Sequence, residues 1–367
     1  MSTLRIDGST LEGGGQLLRM SVALATLLQR PIAIDKIRNG RTPPGLKAQH
    51  TAGIQLVGQL CNATLEGAQK GARSLSFAPG AVVPGSYTAD PGTAGSTGLL
   101  LQVSLPCLLF SSAASTLTLR GGTNAANAPQ IDYTQHIFLP FLKRHFGLDV
   151  DLNIARRGYF PKGGGELHVR VPAASPERGP IPSVTLLERG TVISVKGRAY
   201  VAGLPERLAT EMHDAAVARL SASPHIPQDT IDITAVREEP KNAIGSGSGI
   251  VLWAETDTGC RFAGSALGSK GKAFADVAHE AADELLRNLD AGGCVDEYMQ
   301  DQMIIFIALA QGQSSIACGP LTLHTKTAIW VAEQLTDAKF EIVEQEGDRN
   351  VVHCTGIGLS VQPTQQE

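Results

Sequence analysis

Aromatic residues make up only 5% of the 367-residue chain, with two tryptophans, so a core here has to be built from Leu, Val, Ile and Ala. Positive charge is also scarce. Charged residues are 18% and the net charge is −4 with histidines neutral, which excludes binding nucleic acid through a globally basic surface. Any anion site must therefore concentrate its cations locally. No apolar run reaches the ~18 residues of a membrane span. The longest candidates, near Leu99–Ser111 and Met303–Ala310, are broken or bounded by Gln102, Pro106 and Gln311. The start, MSTLRIDGS, has no basic-then-apolar leader pattern. Six cysteines lie far apart without metal-ligand or redox spacing, and they read as buried thiols of a reducing compartment. These features predict a soluble intracellular protein, nuclear or cytoplasmic, with no membrane partner. The motifs GxxxxGK[ST], HExxH and GxSxG are all missing, which excludes a P-loop, a zincin and a nucleophile elbow. GSGSG at Gly245–Gly249 lacks dinucleotide spacing and reads as a loop.

What is present begins with 43% apolar residues, enough for a sizeable core, and with internal self-similarity. Three stretches, opening at EGGGQLLR, GSTGLLLQ and VDEYMQDQ, each read as helix, strand, turn, helix, then strand or hairpin. That order predicts an α/β (α+β) protein with helices laid on sheets. The first helices begin near Glu12, Gly95 and Asp296, so the first two units lie roughly 83 residues apart and the last two about 200. The excess is on the order of a small domain. The expected organisation is a large domain over 1–183, an inserted α/β domain over 184–291 and the rest of the large domain over 292–367. Pro172–Pro182 reads as a linker, and Gln362–Glu367 as a frayed end.

Five segments carry candidate chemistry. In EGGGQLLR, three glycines at a strand-to-helix turn let peptide N–H groups approach an anion, and Glu12, Gln16 and Arg19 are spaced to share a helix face. A carboxylate beside an arginine there suits a metal and a phosphate; a tight turn with a surface ion pair is the plainer alternative. RNGRTPPGLK places Arg38 and Arg41 about a turn, with two prolines opening the next helix. It is a phosphate clamp or a solvated basic loop. RRGYFPKGGGE combines Arg157 and Lys162 with two aromatics and a second triple glycine. Charge for phosphate and rings for stacking suit a single-stranded RNA end; a hairpin with a glycine bulge is the alternative. In DEYMQDQ, Tyr298 and Gln302 share a face fit for a purine and its ribose, or the segment is an acidic helix start. Finally, LTLH reads as a strand that delivers His324 to a helix N-terminus, where neutral imidazole can attack phosphorus. HTKT at His324 and HCTG at His353 also fit a two-histidine phosphoesterase, which would need both on facing strands.

Together EGGGQLLR, IRNGRTPPGL, TAGSTGLLLQ, GGTNAANAPQIDYT, RGYFPKGGGEL, GRAYVAG, DEYMQDQ and LTLHTKTAIWVAEQL resemble the RNA 3′-terminal phosphate cyclase family, collinearly from Arg5 to about Gly358. The resemblance implies three βαβαββ-type repeats like the C-terminal fold of translation initiation factor three, with a smaller domain inserted before the third. It implies ATP-dependent conversion of an RNA 3′-phosphate to a 2′,3′-cyclic phosphate, through AMP carried first on a histidine and then on the RNA, with Mg²⁺ or Mn²⁺. The nucleophile falls on His324. Nucleotide contacts fall on Gln102, Pro129 and the run Tyr298, Met299, Gln300, Asp301, Gln302, beside Gln16. The metal carboxylate falls on Glu12, phosphate contacts on Arg19 and Arg41, and RNA contacts on Arg38, Arg41, Arg157 and Lys162. Relatives without the histidine serve in ribosome assembly. A non-catalytic RNA-binding factor is therefore the alternative, and the presence of His324 argues against it.

Overall fold

The computed structural model describes residues 2–174 and 179–360. Gln362–Glu367, and Ser175–Arg178 within the expected linker, lie outside them. Among the described residues the strands form four sheets, all of mixed direction. The first holds β1 (Leu4–Asp7), β2 (Ile32–Asp35), β3 (Thr64–Glu66) and β4 (Leu75–Ala78), with α1 (Gly15–Leu27) and α2 (Ala48–Leu60) between them in sequence. The second holds β5 (Ser86–Ala89), β6 (Ser115–Gly121), β7 (Asp151–Gly158) and β8 (Gly165–Val171). Its helices are α3 (Thr97–Leu109) and α4 (Ile131–Tyr133), the latter running through a wide turn into α5 (Leu139–Phe146). Then β9 (Thr185–Leu186) precedes β10 (Val192–Ala202), α6 (Arg207–Ser221), β11 (Ile231–Arg237), β12 (Ala243–Ile244), β13 (Gly247–Thr256), β14 (Arg261–Leu267) and α7 (Phe274–Asp290). The chain closes with α8 (Glu297–Leu309), β15 (Gln311–Cys318), α9 (Leu323–Leu335), β16 (Lys339–Glu344) and β17 (Asn350–Ile357).

Three sheets share one order of partners. β1-β2-β4-β3, β5-β6-β8-β7 and β9-β15-β17-β16 each join a parallel pair to two antiparallel ones. β12 adds in parallel to the β7 edge of the second. The fourth sheet, β11-β10-β13-β14, carries α6 and α7. Thr185–Leu186 falls in the stretch read as inserted, yet it pairs with Ser315–Ile316 of β15.

Packing follows from sequence pattern. α3 is apolar nearly all round and α8 is so over its second half, Met303–Leu309, and both are buried along almost all their length. α7 is two-faced, with Val277, Ala278, Ala281, Ala282, Leu285 and Leu289 buried and charge opposite. Gly264 lets α7 lie directly on β14, since a Cβ there would sit 2.1 Å from the Ala281 carbonyl. One core joins the helices of three sheets and a second lies under the fourth. All six cysteines are buried and free. No helix among the described residues is long and apolar enough to cross a membrane.

Four local expectations are corrected. LTLH is not a strand. Thr322 caps α9 by accepting from the Thr325 N–H (3.0 Å), so Leu323 and His324 open the helix; cap chemistry outweighs the alternating pattern. Glu12 precedes α1 rather than riding on it. Pro43 and Pro44 lie before the Lys47 cap of α2, outside the helix. The strand β13 starts at Gly247, inside GSGSG, where a side chain would strike the Tyr159 ring (2.4 Å).

Candidate active site

The glycine-rich turn before α1 is shaped by what lies against it. Gly13 takes φ +55, and a Cβ on Gly14 would lie 2.0 Å from Glu12 Oε1. A Cβ on Gly15 would press on His50 and Arg19. Gly14 and Gly15 thus make room for a carboxylate, an imidazole and a guanidinium, while Gly13 turns the chain against the Ser9 backbone. The Glu12 N–H donates to Thr327 Oγ1 (3.1 Å), one turn beyond His324, which fastens this turn to α9. Glu12 Oε1 accepts from Arg41 (2.9 Å), while its buried Oε2 has no partner. Arg19 donates to Gln16 Oε1 (2.6 Å), and its buried Nε is also unpartnered. Burial pulls the Arg19 guanidinium below its usual range, against the pull of Asp301 and Glu12. Burial likewise lowers His324, with Arg19 and Arg41 adding to it and Glu12 opposing, so the imidazole is neutral at neutral pH.

α8 supplies the opposite wall. Asp296 caps it, accepting from the Tyr298 and Met299 N–H groups (3.1 and 2.8 Å), from Ala263 N–H on β14 (2.9 Å) and from the Tyr133 hydroxyl (2.7 Å). Burial pushes its carboxyl up to about 6. Tyr298 meets Tyr133 edge-on at 5.7 Å. Gln302 accepts from Gln102 on α3 (3.0 Å) and donates to the Tyr298 carbonyl (2.8 Å). Burial lifts Asp301 to about 7 although Arg19 opposes it. Gln300 faces α9: it accepts from Thr325 Oγ1 (3.1 Å) and donates to the Pro320 carbonyl (3.3 Å), so it positions the start of α9.

These side chains border a cavity of about 430 Å³ lined by Arg19, Gln102, Pro129, Tyr298, Asp301, Gln302 and His324. Gln16 stands beside it, on an apolar cleft that also includes Asp301 and Gln302. Glu12 and Arg41 are outside that lining; paired with each other, they act on the His324 ring through their charges. The loop 125–130 and Ser265–Leu267, Glu280 and Glu284 complete the lining. Gln130 ties that loop to the fourth sheet, donating to the Ile250 and Ala266 carbonyls (3.3 Å each). A larger groove of about 650 Å³, bordered by β6, β7, β8 and the start of α5, contains none of the expected site residues.

Several expected contacts lie elsewhere. Met299 is only 1% exposed and packs in the main core. Arg38 is buried and donates to the Pro43 and Gly45 carbonyls (3.0 and 2.8 Å), pinning its own loop. Arg157 is buried, donating two parallel hydrogen bonds to the Asp132 carboxylate (2.7 Å each) and pairing with Glu238 (2.9 Å). Its fork is spent on protein carboxylates, so it has none left for a phosphate. Lys162 and Phe160 are exposed at the tip of the β7–β8 hairpin, outside the cavity lining. His353 sits in β17, bonded to Ser315 (2.8 Å), also outside that lining. The facing pair of a two-histidine phosphoesterase is not formed.

Glu284 and Ser265 escaped the sequence reading, because nothing in one sequence links α7 to DEYMQDQ. The only signal was an acidic residue at the border of the apolar stripe of α7.

Residues 10–342 match the family model described as RNA 3′-terminal phosphate cyclase. The chain is 38% identical to the RNA 3′-terminal phosphate cyclase of Pyrobaculum neutrophilum, over 97% of this chain and 99% of that one. It is 37% identical to that of Drosophila melanogaster, over 97% of each. It is also 39% identical to a probable RNA 3′-terminal phosphate cyclase of Dictyostelium discoideum, over 96% of this chain and 82% of the relative.

Proposed function

The chain belongs to the RNA 3′-terminal phosphate cyclase family, and on that premise we propose that it converts an RNA 3′-phosphate to a 2′,3′-cyclic phosphate at the expense of ATP. His324 is the nucleophile. Its neutral ring nitrogen attacks the α-phosphorus, pyrophosphate leaves, and AMP remains on the imidazole. An oxygen of the RNA 3′-phosphate then takes the AMP, and protonation of the departing nitrogen assists its release. The 2′-OH, held next to the activated phosphorus by the ribose itself, closes the ring and expels AMP.

The observation that carries this reading is the convergence of three groups: a neutral imidazole open to the cavity, a half-buried arginine and a buried carboxylate with one free oxygen. Arg19 and Arg41 neutralise charge on the phosphates, helped by the N-terminus of α9. Pro129 and Tyr298 flank the base, while Gln102 and Gln302 hold the ribose side. Glu12 Oε2 fits Mg²⁺ or Mn²⁺, being a buried oxygen without a partner. Among the described residues no group of three such ligands occurs, so Glu12 is the residue that would hold the ion near the phosphate oxygens. When bound, the ion supplies charge neutralisation at those oxygens. Phe160 and Lys162 present a stacking ring and a charge to the RNA.

The shared partner order of three sheets supports reading them as three βαβαββ repeats, with the small domain expected over 184–291 starting only after β9 and so interrupting the third. The direct test is to incubate the protein with ATP, a divalent metal and a 3′-phosphate oligonucleotide. Product resistant to phosphatase is expected, and none without ATP. Phosphatase-sensitive ends after full incubation would overturn the assignment.

A further inference from the structure

The cavity has two ends of opposite electrostatic character. Around His324 the charges that act on the ring are Glu12, Arg19 and Arg41. Around Tyr298, one turn of α8 before Asp301, they are Glu297 and Asp296, with the Glu284 carboxyl beside them and Arg287 opposing. Phosphates belong at the first end and are repelled at the second, so the second faces the base. There Glu284 reaches the lining from α7, half-buried. One carboxyl oxygen, Oε1, accepts from the Ser265 N–H of β14 (3.1 Å). The other has no hydrogen-bond partner among the described residues.

We infer that Glu284 reads the Watson–Crick edge of adenine in the nucleotide, its hydroxyl donating to a ring nitrogen and its carbonyl oxygen accepting from the exocyclic amine. The assignment rests on the cyclase reading above and adds to it the residue that selects the base. It requires a protonated carboxyl, and the surroundings provide one. Burial, then Glu297 and Asp296, push the group up to about 8 against the Ser265 N–H and Arg287. The neighbouring Tyr298 phenol is raised as well, and Glu280 of the same helix is ion-paired to Lys272. An ionised carboxylate could only accept and would suit the two N–H groups of guanine instead.

The experiment measures AMP-adduct formation by the whole protein with ATP, inosine triphosphate and 2′-deoxy-ATP, in the unmutated chain, Glu284→Ala and Glu284→Gln. The account expects Glu284→Ala to raise KM for ATP about tenfold, with kcat within about threefold. KM for inosine triphosphate should stay unchanged, so the preference collapses. Glu284→Gln keeps a donor and an acceptor; it should keep the preference and lack the rise in KM for ATP that the account expects of the unmutated protein from pH 7 to 9. An unchanged ATP-to-inosine ratio in Glu284→Ala would overturn the assignment, as would a KM defect that vanishes with 2′-deoxy-ATP, which would mean a ribose contact. No adduct in the unmutated protein would instead sink the cyclase reading itself, and the assignment with it.

Discussion

Two segments of this chain look alike in sequence and do different work. EGGGQLLR and RGYFPKGGGE each join a triple glycine to arginine and glutamate. In the first, two of the glycines yield to side chains: Gly14 to the Glu12 carboxylate, Gly15 to His50 and Arg19. In the second, they yield mostly to backbone: Gly163 to Ala94 and the Thr93 carbonyl, Gly165 to the Gly158 N–H. The arginines divide in the same way. Arg19 keeps a buried unpartnered Nε at a cavity. Arg157 is consumed by Asp132, whose carboxyl burial would raise but which Arg157 holds at about 2. A charge left unsatisfied inside a protein is available for a ligand, and one that is fully paired holds the fold.

The largest expected effect separates the two arginines. Arg157→Ala leaves Asp132 and Glu238 buried without their cation and should cost about 3–5 kcal/mol, read as a fall in denaturant midpoint. Activity per folded molecule should persist. Arg19→Ala should do the reverse, lowering AMP transfer by on the order of 100-fold with a small change in midpoint. Equal stability losses in both would erase the distinction.

The glycines sharpen it next. Gly165→Ala meets backbone at 2.6 Å and should destabilise by about 1–3 kcal/mol. Gly14→Ala meets the movable end of Glu12 and should cost mainly adduct formation, compared by melting and label incorporation. At the hairpin tip, Phe160 is 78% exposed. Phe160→Ala should leave stability alone and weaken RNA binding roughly fivefold, the loss of about 1 kcal/mol of stacking, seen in titration with a 3′-phosphate oligonucleotide. Unchanged affinity would remove the hairpin from the RNA path.

The smallest effect is on pH. Burial, with Arg19, Arg38 and Lys47, depresses His50 to about 3 in the folded chain. The unfolded chain therefore takes up its proton first, and stability falls as pH drops below about 6.5 toward 3. His50→Gln should show a shallower drop in urea midpoint between pH 7 and pH 5. A drop as steep as in the unmutated chain would mean other groups carry it.

The sequence was most readable where chemistry and local spacing coincide. Tyr298 and Gln302 share a helix face, and both line the cavity, as do Arg19, Gln102, Pro129 and His324. It was least readable where the partner is distant. Arg157 meets a carboxylate 25 residues away and another 81 residues on. Nothing local tells such an arginine from a phosphate ligand, and the same holds for Arg38, whose partners are carbonyls of its own loop. Met299 was assigned with its neighbours because a motif is contiguous, whereas a helix turns it into the core. LTLH failed because alternation suggested a strand while Thr322 three residues before Thr325 specified a cap.

The central claim is a covalent bond between one imidazole and the α-phosphorus of ATP. Incubation with α-labelled ATP and a divalent metal, then peptide mapping, tests it directly. The account predicts an acid-labile, alkali-stable AMP on the peptide bearing His324 and no label in His324→Ala. Label on a lysine peptide, or full-yield labelling of His324→Ala, would contradict it.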